Sequence, residues 1–308
     1  MKKFVKIISV VLVLVVCFAM LVACKPDNQI KKENTIGKEM PNVAAKVEIN
    51  KDMDAKTMLM AAIENYYAVD YVGKTNFGKV VVTILGQPVT QVVDAVIERE
   101  GVADDNAKYY VDNRSASSFV RVWEETYING INDVKFRNAT KGNIKFDKKT
   151  NNFEVKQYEK TQLYSNDYTK YVNDKKNDPT KIWGYNVNEN SISEASAVTK
   201  KGNEYTFSVT LNIDKNDPNC AIVDYFETMM YMLNQSVKVE ELAFKGVTLE
   251  FTVWENGLFK NFSIKDNYLM KVMNILKNTP VELNSFTEFT YDKTELSNRV
   301  SLIKELTR

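Results

Sequence analysis

The chain has 308 residues, of which 44% are hydrophobic and 26% are charged, a composition typical of a folded protein with a sizeable core. Its formal net charge is +1, so it lacks the basic field that attracts nucleic acid. Histidine is absent, which excludes Ser-His-Asp and Cys-His nucleophile sites and every histidine-ligated metal site.

The N-terminal segment has the order of a bacterial export signal. Three lysines precede residue 7, and residues 7–22 form an uncharged apolar run. The run ends in Leu-Val-Ala-Cys at residues 21–24, which resembles the lipobox of bacterial lipoproteins. The resemblance implies that the signal peptide, residues 1–23, is removed. Cys24 then becomes the N-terminal residue and carries a diacylglycerol on its sulfur.

An acyl anchor of this kind would hold the protein on the extracytoplasmic face of the cell membrane. Each buried methylene group contributes about 0.8 kcal/mol, so two or three chains retain a protein where a single chain does not. The alternative is an uncleaved anchor helix, and the Lys25-Pro26 pair directly after Cys24 disfavours it, because proline continues a helix poorly. Removal of the 23 leader residues, with their three lysines, leaves 285 residues and lowers the net charge from +1 to −2.

The remaining cysteines exclude a disulfide. Cys17 leaves with the leader and Cys24 is acylated, so only Cys220 remains, and neither a disulfide nor a cysteine metal site is expected. Residues 24–50 contain few large apolar side chains and predict a polar tether. Residues 51–308 are expected to form a single β-rich domain.

The first half of this domain begins with a helix and continues as strands. Apolar residues at helical spacing predict a helix over residues 55–68, with Asp52 or Asp54 at its N-cap. Alternating apolar residues then predict a long hairpin over residues 80–97, turning at Gly86-Gln87-Pro88. Further strands are predicted at residues 109–111, 119–127 and within 142–164, followed by a long loop over 165–202 with a helical turn at 168–172.

The second half of the domain is predicted to consist of strands on either side of one central helix. The clearest alternation predicts a strand over residues 205–213, and Asp217 and Pro218 then suit the start of a helix that ends near residue 234. More strands are predicted at residues 247–253, 259–264 and 281–291. A C-terminal helix containing Leu296, Val300 and Ile303 is expected to follow.

The central helix is rich in methionine. Methionine is pliable and suits surfaces that accept varied apolar ligands, although ordinary core packing explains the same residues. The side chains predicted to line an apolar pocket between this helix and the sheet are Ile222, Phe226, Met229, Met230 and Leu233.

Together these elements predict an α+β fold, with a mostly antiparallel, curved, half-barrel-like sheet and a few helices packed on one face. The order of elements over residues 55–291 resembles the LolA/LppX-like group of lipoproteins and lipid carriers. That resemblance implies an enclosed cavity for lipid or acyl chains, and it assigns no site residue beyond Cys24.

Three motifs with a catalytic or ligand-binding spacing are better explained structurally. Residues 73–79 have the glycine and lysine spacing of a phosphate loop, but Val80 follows where a Ser or Thr is needed, and a strand replaces the helix. Ser301 and Lys304 lack the accompanying triplets of penicillin-binding enzymes. Residues 214–217 lack the glycine and distal glutamate of a calcium loop, so we expect no metal and no cofactor.

These observations favour a membrane-anchored, non-enzymatic binding protein for a lipid or another apolar ligand. One alternative is a structural or adhesive surface module, with an aromatic face formed by Tyr168, Tyr171, Trp183 and Tyr185. Another is a carboxylate-dependent hydrolase of the cell envelope, which needs two acidic side chains about 5–10 Å apart. The adjacent pair Glu124-Glu125 lies on a predicted strand and cannot supply them, because neighbouring side chains point to opposite faces. Glu240-Glu241 form a similar pair in a predicted polar connection.

Overall fold

A computed structural model describes most of the chain from Ile36 onward. The described residues are 36–117, 121–130, 133–147, 152–159, 161–165, 167–175, 178–234, 239–272 and 276–296. The predicted signal peptide and Cys24 lie outside these residues, and so do Val300, Ile303 and the Ser301–Lys304 motif.

The first helix, α1 (Ala55–Ala68), has the predicted bounds. The Asp54 carboxylate caps it by accepting a hydrogen bond from the Thr57 amide at 2.8 Å. This contact holds the pKa of Asp54 below its usual value. Leu59, Ala62 and Tyr66 are buried, as their spacing predicts.

Twelve of the described strands form one antiparallel sheet. The strands are β1 (Tyr71–Ile84), β2 (Gln87–Glu100), β3 (Lys108–Ala116), β4 (Arg121–Asn129), β5 (Asp133–Thr140), β6 (Ile144–Asp147), β7 (Asn152–Val155), β8 (Gln162–Leu163), β9 (Ile192–Ala195), β10 (Thr199–Lys201), β11 (Glu204–Leu211), β12 (Val239–Trp254), β13 (Phe259–Val272) and β14 (Leu276–Thr290). Their order is β10-β11-β12-β13-β14-β1-β2-β3-β4-β5-β8, with β9 beside β11. β6 and β7 form a separate hairpin.

The pairing of β14 with β1 joins the two halves of the chain. It runs from Gly73 opposite Thr290 to Val82 opposite Val281 without a shift in register. The N-terminal meander and the C-terminal meander therefore share one continuous sheet.

The β1–β2 hairpin turns one residue earlier than the sequence predicts. Its turn consists of Leu85 and Gly86, both with positive φ (49° and 79°), whereas Gln87 and Pro88 already belong to β2. A two-residue hairpin turn of this type needs two residues in the left-handed region, because only that twist matches the twist of the flanking strands.

The three helices in the described part of the chain pack against one face of the sheet, which we call the inner face. Besides α1 these are α2 (Tyr168–Lys175) and α3 (Val223–Asn234). Tyr66 of α1 contacts Phe289, Tyr171 of α2 contacts Phe136, and Tyr225 of α3 contacts Phe244. The mostly antiparallel, curved sheet with helices on one face confirms the predicted fold class.

The predicted start of α3 was wrong by five residues. The Asp214 and Asp217 carboxylates instead accept hydrogen bonds from the amides two residues later, at 2.9 and 2.8 Å. These local bonds satisfy the backbone in a series of turns and so compete with a helix. The helix begins only at Val223.

The main core lies between the inner face and the helices α1 and α3. At its centre Phe251, Phe259, Phe262 and Phe289 are almost fully buried, and Trp183 lies 5.3 Å from Phe262 between ring centroids. Burying each phenylalanine contributes roughly 1.5–3 kcal/mol. This aromatic cluster packs the central strands against the helices.

Residues 36–50, the second half of the predicted tether, lie along the domain without regular secondary structure. The Gly37 amide donates to Glu295 Oε2 at 2.9 Å, and Asn65 of α1 exchanges two hydrogen bonds with the Val47 backbone. These contacts hold the described part of the predicted tether against the domain. Within the described residues, no helix is long and apolar enough to cross a membrane.

Candidate functional site

A cleft of about 140 Å³ opens on the inner face where β13, β14, β1 and β2 lie side by side. Its roof comes from the loop before β9 and from α3. The lining residues are Asn76, Gly78, Lys79, Val80, Val93, Gly184, Tyr185, Tyr225, Ile264, Leu283 and Ser285. The cleft therefore lies between the sheet and the helix that the sequence singles out.

Two glycines shape this cleft. Gly78 lies in its floor, where an added Cβ would come within 3.2 Å of the Ser285 Cβ. Gly184 lies in its roof, where an added Cβ would come within 2.9 Å of Tyr225 Cδ2. Real Cβ atoms essentially never come within 3.0 Å of a neighbouring atom. Any side chain at position 184 would therefore displace the Tyr225 ring from its place over the cleft.

The lining is mostly apolar. Asn76 is tied down, because its Nδ2 donates to Thr287 Oγ1 at 2.7 Å. Lys79 is the one charged residue among the described lining residues, and it follows Gly78 along β1, so its side chain points to the opposite face. An apolar lining without an acid or base suits binding of an apolar group better than catalysis.

A buried carboxyl group lies directly behind the roof. Asp266 of β13 is fully buried, and its Oδ2 accepts a hydrogen bond from the Tyr185 hydroxyl at 3.2 Å. Its Oδ1 has no hydrogen-bond partner among the described residues. Burial raises the pKa of Asp266 to about 7, and the adjacent Tyr225 and Tyr185 hydroxyls offset only part of that rise. The carboxyl thus titrates near neutral pH.

Two buried cations lie further along the same face. Lys74 Nζ donates to the carbonyls of Lys181 and Ile182 at 3.2 and 3.1 Å, and burial lowers its pKa to about 7. Arg99 is fully buried, and its Nη2 donates to the carbonyls of Tyr66 and Val69 at 2.8 and 2.7 Å. Both cations therefore hold backbone carbonyls, and Arg99 caps the C-terminal end of α1.

The predicted pocket residues of α3 and the preceding turn lie in or next to the core, outside the cleft lining. Ile222 is fully buried, Met229 is 8% exposed and Met230 is half-buried. Phe226 is half-buried beneath Lys215 Nζ, which lies 3.5 Å from its ring centroid. Leu233 belongs to the end of α3, whose side chains are not described. Tyr225 is the residue of this helix that lines the cleft.

The aromatic side chains considered for an adhesive face point inward. Tyr171 and Tyr185 are 2% and 6% exposed, and Trp183 packs on the aromatic core. Tyr168 is half-buried and donates a hydrogen bond from its hydroxyl to Asp178 Oδ1 at 2.7 Å. They form packing contacts rather than a flat exposed surface.

The adjacent glutamates of β4 lie on opposite faces, as expected. Glu125 pairs with Arg137 on the outer face and accepts a hydrogen bond from Tyr110 at 3.0 Å. Glu124 is half-buried on the inner face, where burial raises its pKa. Five strand spacings of about 4.8 Å separate β4 from β13, so Glu124 lies about 24 Å from Asp266 along the sheet.

The other motifs have structural roles. Residues 73–79 run through β1, so the spacing that resembles a phosphate loop is part of a strand. Cys220 is 3% exposed in the turn before α3, where it packs as a small buried residue. Across the part of the chain that is described, no group of three acidic or cysteine side chains is placed to hold a metal.

Sequence analysis did not identify Asp266, Lys74 or Arg99 as buried charges, although the pattern contains a signal for Asp266. Asp266 occupies an inner position in a strand whose other inner residues are Phe262, Ile264, Tyr268 and Met270. A single charged residue in the apolar half of an alternating strand marks a buried charge.

No protein-family model and no curated protein matches this sequence. Among solved structures, a domain described as an outer membrane lipoprotein-sorting protein from Vibrio parahaemolyticus is 7% identical, with a TM-score of 0.22, covering 77% of this chain and 92% of that one. A β-barrel-like protein from Brucella abortus is 9% identical, with a TM-score of 0.23, covering 73% and 100%. The ywiB protein from Bacillus subtilis is 9% identical, with a TM-score of 0.20, covering 72% and 95%. At these values the likeness carries no inference about ligands or activity.

Proposed function

We propose that this chain is an extracytoplasmic lipoprotein, anchored through acyl chains on Cys24, that binds a small apolar ligand and catalyses no reaction. The observation that carries the binding role is the cleft on the inner face, with its apolar lining and its position between α3 and the sheet. The anchor rests on the lipobox-like residues 21–24.

The size of the cleft limits what it holds. An apolar cavity of about 150 Å³ accommodates a molecule such as benzene. A cleft of about 140 Å³ therefore takes a group of about six carbon atoms, which is one end of an acyl chain rather than a whole lipid. The ligand class is accordingly a small apolar molecule or the apolar end of a larger one.

The arrangement of carboxyl groups supports a binding role over hydrolysis. Glycoside hydrolysis by two carboxyl groups requires them about 5–10 Å apart. Asp266 and Glu124, the inner-face acids whose pKa values are raised by burial, are separated by about 24 Å along the sheet. Neither of them lines the cleft.

The binding role is tested by titrating the full chain in lipid nanodiscs with 1-hexanol and recording methyl NMR spectra. We expect shifts at Val80, Ile264 and Leu283, which line the cleft. Val80→Phe should abolish them by filling the space, whereas Val102→Phe, at a residue 46% exposed and outside the lining, should leave them intact. Absence of shifts in the unsubstituted chain would refute the binding role.

The anchor is tested separately by metabolic labelling with radioactive palmitate in a bacterial host. Label should enter the protein and disappear with Cys24→Ser. Equal labelling of both proteins, or none of either, would refute the acyl anchor while leaving the cleft untouched.

A further inference from the structure

The Oδ1 atom of Asp266, next to the cleft, is a buried hydrogen-bond acceptor without a donor among the described residues. Asp266 is fully buried, yet its Oδ1 lacks a hydrogen-bond partner among the described residues. Buried polar atoms are almost always paired, so an unpaired one calls for a missing group. Its partner across β14 is Leu283, and Ile264 lies two residues earlier in β13, and both line the cleft.

Aromatic rings surround this carboxyl group. Tyr185, whose hydroxyl donates to Asp266, and Tyr225 both line the cleft, with ring centroids 4.5 Å apart. Tyr225 continues to Phe244 at 5.8 Å, and Phe244 to Tyr268 at 5.3 Å. The electron-rich faces of such rings attract an organic cation, particularly where water is excluded.

The carboxyl group has no cationic partner in the described part of the chain. The titratable groups around it are tyrosines: Tyr185 from the roof loop, Tyr225 from α3 and Tyr268 from its own strand. The neighbouring strands present the uncharged Val247 and Leu283 at its register positions. Burial without a counter-ion is what raises the pKa of Asp266 to about 7.

We propose that the cleft takes a small organic amine, whose ammonium group pairs with Asp266 inside the ring of aromatic side chains and whose apolar part fills the cleft. This inference rests on the proposed binding function and adds the polar end of the ligand. The ammonium supplies the donor that Oδ1 lacks and the counter-ion that the buried carboxylate lacks.

Asp266 does not line the cleft, so a ligand in the cleft reaches it only if an aromatic side chain moves. Tyr185 is 6% exposed and held by its hydrogen bond to Oδ2. Tyr225 is half-buried on α3, and its ring forms the boundary between the cleft and the carboxyl group. Displacement of the Tyr225 ring by the ligand is therefore part of the proposal.

The experiment compares three ligands of equal length on the full chain in lipid nanodiscs: hexylamine, 1-hexanol and hexanoate. Methyl NMR of Val80, Ile264 and Leu283 reports occupancy of the cleft itself, and each affinity is calculated from the free ligand concentration measured after partition into the lipid. At pH 8 we expect hexylamine to bind at least tenfold more tightly than 1-hexanol, and hexanoate to bind most weakly. Asp266→Asn should reduce hexylamine to the affinity of 1-hexanol, while Asp105→Asn, at an exposed site, should change nothing.

A second measurement needs no variant. Hexylamine remains cationic between pH 5 and pH 8, because alkylammonium groups lose their proton above about pH 10. Protonation of Asp266 removes its charge, so hexylamine affinity should fall nearly tenfold for each pH unit below 7, while 1-hexanol affinity stays constant.

The outcomes separate the two proposals. If none of the three ligands shifts the cleft methyl groups, both the binding function and the amine site are refuted. If 1-hexanol or hexanoate binds as tightly as hexylamine, or if hexylamine binding is independent of pH, the amine site is refuted. The proposed binding of an apolar ligand in the cleft is then still supported.

Discussion

Asp266→Asn should change how the stability of this protein depends on pH. The folded state holds the pKa of Asp266 at about 7, against a reference value of 3.8. Between these values the folded state keeps a proton that the unfolded chain has lost, so the free energy of unfolding falls as pH rises. The interval is roughly three pH units, and at about 1.36 kcal/mol per unit the loss amounts to about 4 kcal/mol.

The stability contributed by neutral Asp266 is therefore fully present below about pH 4 and is lost by about pH 7. Asparagine has nearly the same shape and does not titrate, so the substituted protein should lack this slope even if its stability is lower throughout. Other groups contribute to the pH dependence of both proteins alike, which makes the difference between the two curves the informative quantity.

The assay is urea unfolding followed by tryptophan fluorescence at half-unit steps from pH 4 to pH 8. Asp105→Asn is the matched control, because Asp105 is exposed. Parallel curves for the original chain and Asp266→Asn would show that burial does not shift this carboxyl group, and would refute the reasoning.

Three further substitutions probe particular contacts. Arg99→Met should lower the free energy of unfolding by about 1–3 kcal/mol, because it leaves two buried carbonyls at the end of α1 without a donor; urea unfolding measures this, and an unchanged midpoint would contradict it. Leu85→Asn should raise stability by about 0.5–1 kcal/mol, since asparagine tolerates the left-handed backbone of the exposed hairpin turn; a lower melting temperature would count against it. Gly184→Ala should displace the Tyr225 ring and weaken 1-hexanol binding severalfold. A Cβ added at Gly142 meets no atom within 4 Å, so Gly142→Ala should leave 1-hexanol binding unchanged. Equal binding of 1-hexanol by the two variants would contradict this prediction.

The parts of the fold that sequence predicted well are those in which local and long-range preferences agree. The helix over residues 55–68 has a capping aspartate and an apolar stripe, and β11 alternates strictly, so both were predicted nearly residue by residue. The start of α3 was mispredicted because Asp217 suits a helix cap and a turn equally well. The structure uses its carboxylate in the turn, where it accepts from the Asn219 amide.

The candidate site was less accessible to sequence reasoning. The cleft is formed by strands that are distant in the sequence. The pairing register between β1 and β14, which brings their lining residues together, cannot be predicted from either strand alone. The methionine pattern indicated a pocket beside this helix but did not distinguish which of its side chains meets the cleft. Tyr225 lines the cleft, whereas Ile222 and Met229 lie in the core. Asp266 is recognisable in the sequence as a single acidic residue among the apolar residues that alternate along β13.

The seam between β1 and β14 has a consequence for how the protein is made. Residues about 217 positions apart are hydrogen-bonded neighbours there, since Gly73 lies opposite Thr290. The sheet cannot be completed until almost the whole nascent chain has been synthesised, and closing so long a loop makes folding slow. The edge of β1 that β14 later covers stays unpaired throughout that interval, and an exposed strand edge of this kind is a template for pairing with another chain.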